Sequence, residues 1–278
     1  MITSMPPSWA AARLDYALAT SRSEQRAALG LYLPVGYPSR TASLDALHRM
    51  AQHADVLELG LPHSDPHMDG PVIQQSSAQA LDRGFEMIHL FEAATELTAS
   101  STTALVVMSY WDPIARFGPE LFADRLCVAG VGAVLIPDLP EHATATWQSA
   151  AREAGLHAIP LVPAHASNAR LAAIGATSSG MVYAPATPGR TGAQRPLSPY
   201  LPRLVRRLRT ATRLPVAVGI GISTPEHAAQ ASAYADAVVV GSAVIRHMQA
   251  RPDAPAEAAA DTARAFAGGV RRASNPLS

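Results

Sequence analysis

The chain has 278 residues, 48% of them hydrophobic and only 16% charged, which is ample apolar material for one large core of about 250 residues. Formal net charge is zero, so the basic footprint of a nucleic-acid or membrane-surface protein is missing, and a single cysteine rules out an intramolecular disulfide or a thiolate metal cage. All 22 basic residues are arginine, so no lysine is available for a Schiff base and any carbon–carbon cleavage must proceed without an enzyme imine.

The first 28 residues hold a helical pattern without the basic start and long apolar run of a secretory leader, and no segment approaches the ~20 apolar residues of a membrane span. These features predict a cytoplasmic protein. Short β-branched or apolar runs then alternate with amphipathic stretches. The runs lie at 30–35, 55–59, 104–109, 133–136, 157–162, 180–184, 215–218 and 237–240. Helical spacing is legible at 44–54, 119–129, 143–154, 198–211 and 225–233, and again from residue 253 toward the end. Eight strand candidates alternating with helices predict parallel βαβ units. The turn after the first strand, Leu33 to Pro38, contains no GxGxxG, so a dinucleotide-binding open sheet is disfavoured. The expected fold is α/β, a single (β/α)8 TIM barrel with a helical cap at 1–28 and a helical tail at 253–278. Cys127 reads as a core residue, and Arg203, Arg206, Arg207 and Arg209 as the solvated face of one helix.

In such barrels the chemistry sits at the C-terminal strand ends, with a phosphate site after strands seven and eight. Strand seven runs into Gly219, Ile220 and Gly221; strand eight runs into Gly241 and Ser242 at the start of a helix. Glycines let backbone N–H groups approach an anion, and a helix N-terminus favours negative charge. In strand two, alternation puts Val56 and Glu58 on one face and Leu57 and Leu59 on the other. A carboxyl group facing the barrel mouth is desolvated, which raises its pKa and suits proton transfer. The loop that follows carries His63, Asp65, His67 and Asp69, a set that offers metal ligands but lacks the helical spacing of an HxxxH site. No metal is expected there.

The segment from Glu58 through Leu-Gly-Leu-Pro-His-Ser-Asp-Pro-His-Met to Asp69-Gly-Pro-Val-Ile-Gln74 resembles the signature of the tryptophan synthase α subunit family. The resemblance runs from Tyr32 to Ala243 and includes Asp138 between two prolines, Tyr183, and Thr191-Gly192. It implies a lyase that splits indole-3-glycerol phosphate into indole and glyceraldehyde-3-phosphate without a cofactor. By the same resemblance Glu58 and Asp69 are the catalytic pair, oriented by Tyr183. Gly192, Gly219, Gly221, Gly241 and Ser242 would hold the phosphate, and Tyr32, Met108, Leu135 and Ile220 would wall the indole ring, where core packing is an equal reading. It further implies a β subunit as partner, in an α2β2 heterotetramer. The chain departs from the common pattern at His63, His67, Gln79, the run Ser109-Tyr-Trp-Asp112-Pro and the sixth loop, 184–190. The alternatives are a free-standing lyase that supplies indole to a specialised pathway, and a barrel that has lost catalysis and acts as a binding partner.

Overall fold

A computed structural model describes residues 8–186 and 196–272 of the chain. Its eight strands are β1 (Ala28–Pro34), β2 (Val56–Gly60), β3 (Ala104–Met108), β4 (Ala133–Ile136), β5 (His157–Pro160), β6 (Val182–Pro185), β7 (Val216–Gly219) and β8 (Ala237–Val240). Helix α1 (Ser8–Ser23) precedes the first strand and α2 (Arg40–Ala51) follows it. Two helices each follow β2 and β3: α3 (Pro71–Asp82) with α4 (Met87–Ser100), then α5 (Trp111–Phe117) with α6 (Pro119–Val128). Next come α7 (Thr144–Ala154), α8 (Asn168–Thr177), α9 (Leu201–Ala211), α10 (Pro225–Ser232), α11 (Ser242–Ala250) and α12 (Pro255–Arg272).

All strand pairs are parallel, in the order β5-β4-β3-β2-β1-β8-β7-β6. The seam between β5 and β6 lacks a regular ladder among the described residues and is joined by a bridge from Leu161 to Tyr183, where the Val162 N–H donates to the Tyr183 carbonyl at 2.8 Å. The sheet is therefore a nearly closed (β/α)8 barrel. Each predicted strand is present, β4 and β8 with the predicted bounds and the others with ends shifted by at most two residues, while α3, α4, α5 and α8 lie where no helix is predicted. Among the described residues no helix is long and apolar enough to cross a membrane.

Strand alternation splits the apolar residues into two cores. Leu57 and Leu59 face outward into the larger core between sheet and helices, while Val56, Val106 and Val239 fill the barrel interior. Leu14 and Leu18 of α1 join that interior core beside Ala28, Val56, Ala104 and Ala133, which begin their strands, so α1 plugs the N-terminal end. The close approach requires glycine at 132, where a Cβ would collide with the Ala10 carbonyl. At the same end Arg26 forks onto Asp55 at 2.6 and 2.8 Å, and Asp55 accepts the Leu29 N–H at 2.8 Å, tying β1 to the edge of β2. The barrel is thus closed and stiffened below, leaving the opposite mouth for chemistry.

Helix α9 buries Leu201, Leu204, Val205 and Leu208 and turns Arg203, Arg206 and Arg209 outward, as the sequence spacing requires; Arg207 is half-buried and donates to Asn168 and to the Ala166 carbonyl. Helix α12 packs through Ala259, Ala263, Phe266 and Val270, and a Cβ at Gly269 would meet the Pro225 carbonyl at 2.5 Å. Cys127 differs from the core position expected of it: it is half-buried at the margin of the outer core, where burial raises its thiol pKa.

Candidate active site

A cavity of about 450 Å³ opens at the C-terminal end of the barrel. Of the residues singled out in the sequence, Glu58, Asp69, Tyr183, Tyr32, Met108, Leu135, Ile220, Gly221, Gly241 and Ser242 all line it. Gly192 lies outside the described residues.

Glu58 enters the cavity because its place in β2 shares the inward face with Val56; it is 5% exposed. Desolvation first, then the charge of Asp69, pushes its pKa up to about 8. Asp69 reaches the same cavity from the loop after β2 and is 4% exposed. Its N–H donates to the Pro66 carbonyl at 2.9 Å, closing a turn. The Gln74 amide on α3 donates to the carbonyls of Pro66 and Asp69 at 3.2 and 3.0 Å, which fastens this loop to the helix. Gly70 and Pro71 start α3 directly after Asp69, so the carboxylate is held at a fixed point of the mouth. Desolvation raises its pKa to about 6, against the hydrogen bond from Tyr110 and the charge of His67, which lower it.

Tyr110 is a member of this site that the sequence alone does not single out. It sits buried at the β3–α5 junction, and its hydroxyl donates to Asp69 Oδ2 at 3.1 Å and accepts the Met68 N–H at 3.1 Å. Its signals in the sequence are its place just beyond a strand end and its membership of the run Ser109-Tyr-Trp-Asp112-Pro. His63 and His67 make tilted contacts with this ring at 5.5 and 5.3 Å between centroids instead of forming a metal-binding cluster with Asp65 and Asp69. Among the described residues no group of three or more His, Cys, Asp and Glu side chains comes together as a metal site.

Gly219 is the one described phosphate candidate that does not line the cavity. It serves the site in another way, because a Cβ there would overlap the Tyr183 hydroxyl and its missing side chain makes room for that ring. Gly60 does the same for Tyr32, whose ring a Cβ there would overlap, and Gly241 packs against the same ring, where a Cβ would lie only 3.1 Å away. Both tyrosine hydroxyls are held far above their ordinary pKa by burial and by the two carboxylates, and stay protonated donors.

Across the cavity from the acids, Ile220 and Gly221 have φ of 53° and 111°. That region is costly for a β-branched side chain, and such strain collects at ligand-binding loops. Gly241 caps α11 and Ser242 begins it, so the positive end of that helix dipole faces the cavity. The arrangement pairs an apolar-walled slot and two carboxyls of different basicity with an anion-attracting rim.

Comparison with known proteins agrees with this geometry. The family model described as tryptophan synthase alpha chain matches residues 18–274. The tryptophan synthase alpha chain of Streptomyces coelicolor is 41% identical over 86% of this chain and 89% of its own length. That of Streptomyces avermitilis is 40% identical over 92% of each. A solved structure of Mycobacterium tuberculosis tryptophan synthase superposes with a TM-score of 0.87 at 36% identity, covering 93% of this chain and 98% of that one. By its sequence along nearly its whole length, and by its fold, the chain belongs to the tryptophan synthase alpha chain family.

Proposed function

We propose that Glu58 and Asp69 carry the proton transfers by which this carbon–carbon lyase cleaves indole-3-glycerol phosphate. The observation that carries the assignment is two buried carboxyls in one cavity, at the barrel mouth, with environments that push them to different basicities. Between pH 6 and 8 Glu58 holds its proton and Asp69 has lost its own. Asp69 accepts the indole N–H proton while Glu58 gives its proton to indole C3, producing the indolenine tautomer. The Glu58 carboxylate then takes the proton of the adjacent glyceryl hydroxyl. The bond from C3 to that carbon breaks, its electron pair flows into the ring, and the ring nitrogen takes its proton back from Asp69. Indole and glyceraldehyde-3-phosphate leave, and both carboxyls regain their starting states. The imine nitrogen of the tautomer is the electron sink, which accords with a chain that contains no lysine.

Tyr183 orients the pair, and Tyr32, Met108, Leu135 and Ile220 wall the indole ring. Backbone amides at Gly221, Gly241 and Ser242 bind the phosphate, with Gly192 assigned the same role from the sequence. Relatives and solved neighbours matched over nearly their full length are synthase alpha chains and synthase structures, which supports partnership with a β subunit in an α2β2 assembly rather than free-standing action. The test is indole release by Glu58→Gln and Asp69→Asn. Each is expected to lose at least ~10²-fold in kcat while a glycerol-phosphate ligand still binds; turnover at the parent rate in either variant would remove that residue from the mechanism.

A further inference from the structure

The loop between β2 and α3 carries two histidines that the chemistry above leaves unused. His63 is half-buried and His67 exposed, and both rings lie against Tyr110, with centroids at 5.5 Å and 32° for His63 and at 5.3 Å and 55° for His67. These are tilted contacts of the kind aromatic rings favour. His67 is itself oriented by its own loop, its Nδ1 lying 3.4 Å from the Asp65 carbonyl oxygen. Tyr110 in turn is linked to this loop through the Met68 N–H and to the Asp69 carboxylate, each at 3.1 Å. A tyrosine ring is a rigid lever, so whatever fixes the ring fixes its hydroxyl.

We propose that His63 and His67 are positioning residues that clamp the ring of Tyr110 and thereby hold its hydroxyl on the Asp69 carboxylate. The proposal rests on the reading of Asp69 as a catalytic carboxylate. Among the described residues five ionisable groups face Asp69: Tyr110, His67, Glu58, and the hydroxyls of Tyr32 and Tyr183. Tyr110 and His67 both favour the ionised carboxylate, so loosening the clamp raises its pKa. A merely structural role for the loop would leave that ionisation alone. Misplacing a reacting group by about 1 Å can cost ~10²-fold, and a clamp that only limits such motion is expected to account for about a tenth of that.

The experiment measures indole release from indole-3-glycerol phosphate across pH for the full chain carrying His63→Ala with His67→Ala, for Tyr110→Phe, and for all three changes together. The alanine pair is expected to lose about tenfold in kcat with KM nearly unchanged, and its acid limb is expected to move to higher pH. On the plateau of its pH profile the triple variant should be no worse than Tyr110→Phe alone, because the clamp acts through that hydroxyl while the charge of His67 moves only the acid limb. His63→Phe with His67→Phe, which keeps both rings, should recover kcat. An alanine pair with parental kcat and acid limb would overturn the proposal, and so would a loss that adds in full to that of Tyr110→Phe. Full activity in Asp69→Asn would instead fail the catalytic reading, a separate outcome.

Discussion

Burying a proton-carrying Glu58 has a consequence for stability as well as for catalysis. Its pKa is about 8 in the folded chain against a reference of 4.5, with burial the first cause. Because the folded value is raised, stability is full below pH 4.5, declines as the unfolded chain ionises more readily, and levels off once the folded value near 8 is passed. At ~1.4 kcal/mol per pH unit, the cost is about 1 kcal/mol at pH 5 and about 4 kcal/mol at pH 8. Glu58→Gln keeps the shape but cannot ionise, so its advantage over the parent should grow by about 3 kcal/mol across that interval. Asp69 titrates in both proteins and drops out of the difference. For a chain of this size each kcal/mol moves Tm by about 2–4 °C, so the gap should widen by roughly 6–12 °C. Thermal unfolding of both proteins, followed by circular dichroism at pH 5 and pH 8, measures it directly. A gap of equal size at the two pH values would refute the desolvation of Glu58.

Two further outcomes follow from the same geometry. The profile of kcat/KM against pH should be bell-shaped, rising through about 6 as Asp69 ionises and falling through about 8 as Glu58 does; a profile flat from pH 5 to 9 would contradict the acid–base pairing. Gly219→Ala puts a methyl group into the Tyr183 hydroxyl, so it should cost about 1–3 kcal/mol in chemical denaturation and displace that ring; unchanged stability and turnover would mean that Tyr183 does not need the space.

The barrel was legible because its strands are short apolar runs and its larger helices carry wide apolar stripes, as in α9 with Leu201, Leu204, Val205 and Leu208. Helix α3 was not, because its buried face is Ile73, Ser76, Ser77 and Ala80, too small and polar to give a hydrophobic period. Helix α5 is only seven residues long and starts at Trp111, where the Asp138 carboxylate accepts the Trp111 N–H at 2.8 Å, a contact between residues 27 apart. Glu58 was readable from alternation within one strand, since a charged residue between two outward-facing leucines has only the barrel interior to face. Tyr110 was not, because its bond to Asp69 spans 41 residues and joins the end of β3 to the loop after β2, which come together only through the pairing of those two strands. Gly219 was legible as a special position but not for its reason: a strand-end glycine can serve an anion or a neighbouring ring, and only the packing of Tyr183 distinguishes them.

Whether this cavity splits indole-3-glycerol phosphate, and does so in partnership, is decided most directly by the steady-state rate of indole release from the purified chain, alone and with a tryptophan synthase β subunit. Slow release by the isolated chain and a strong rise when the β subunit is added are expected. No indole under either condition would contradict the chemistry assigned to the cavity, and a fast rate indifferent to the β subunit would contradict the partnership.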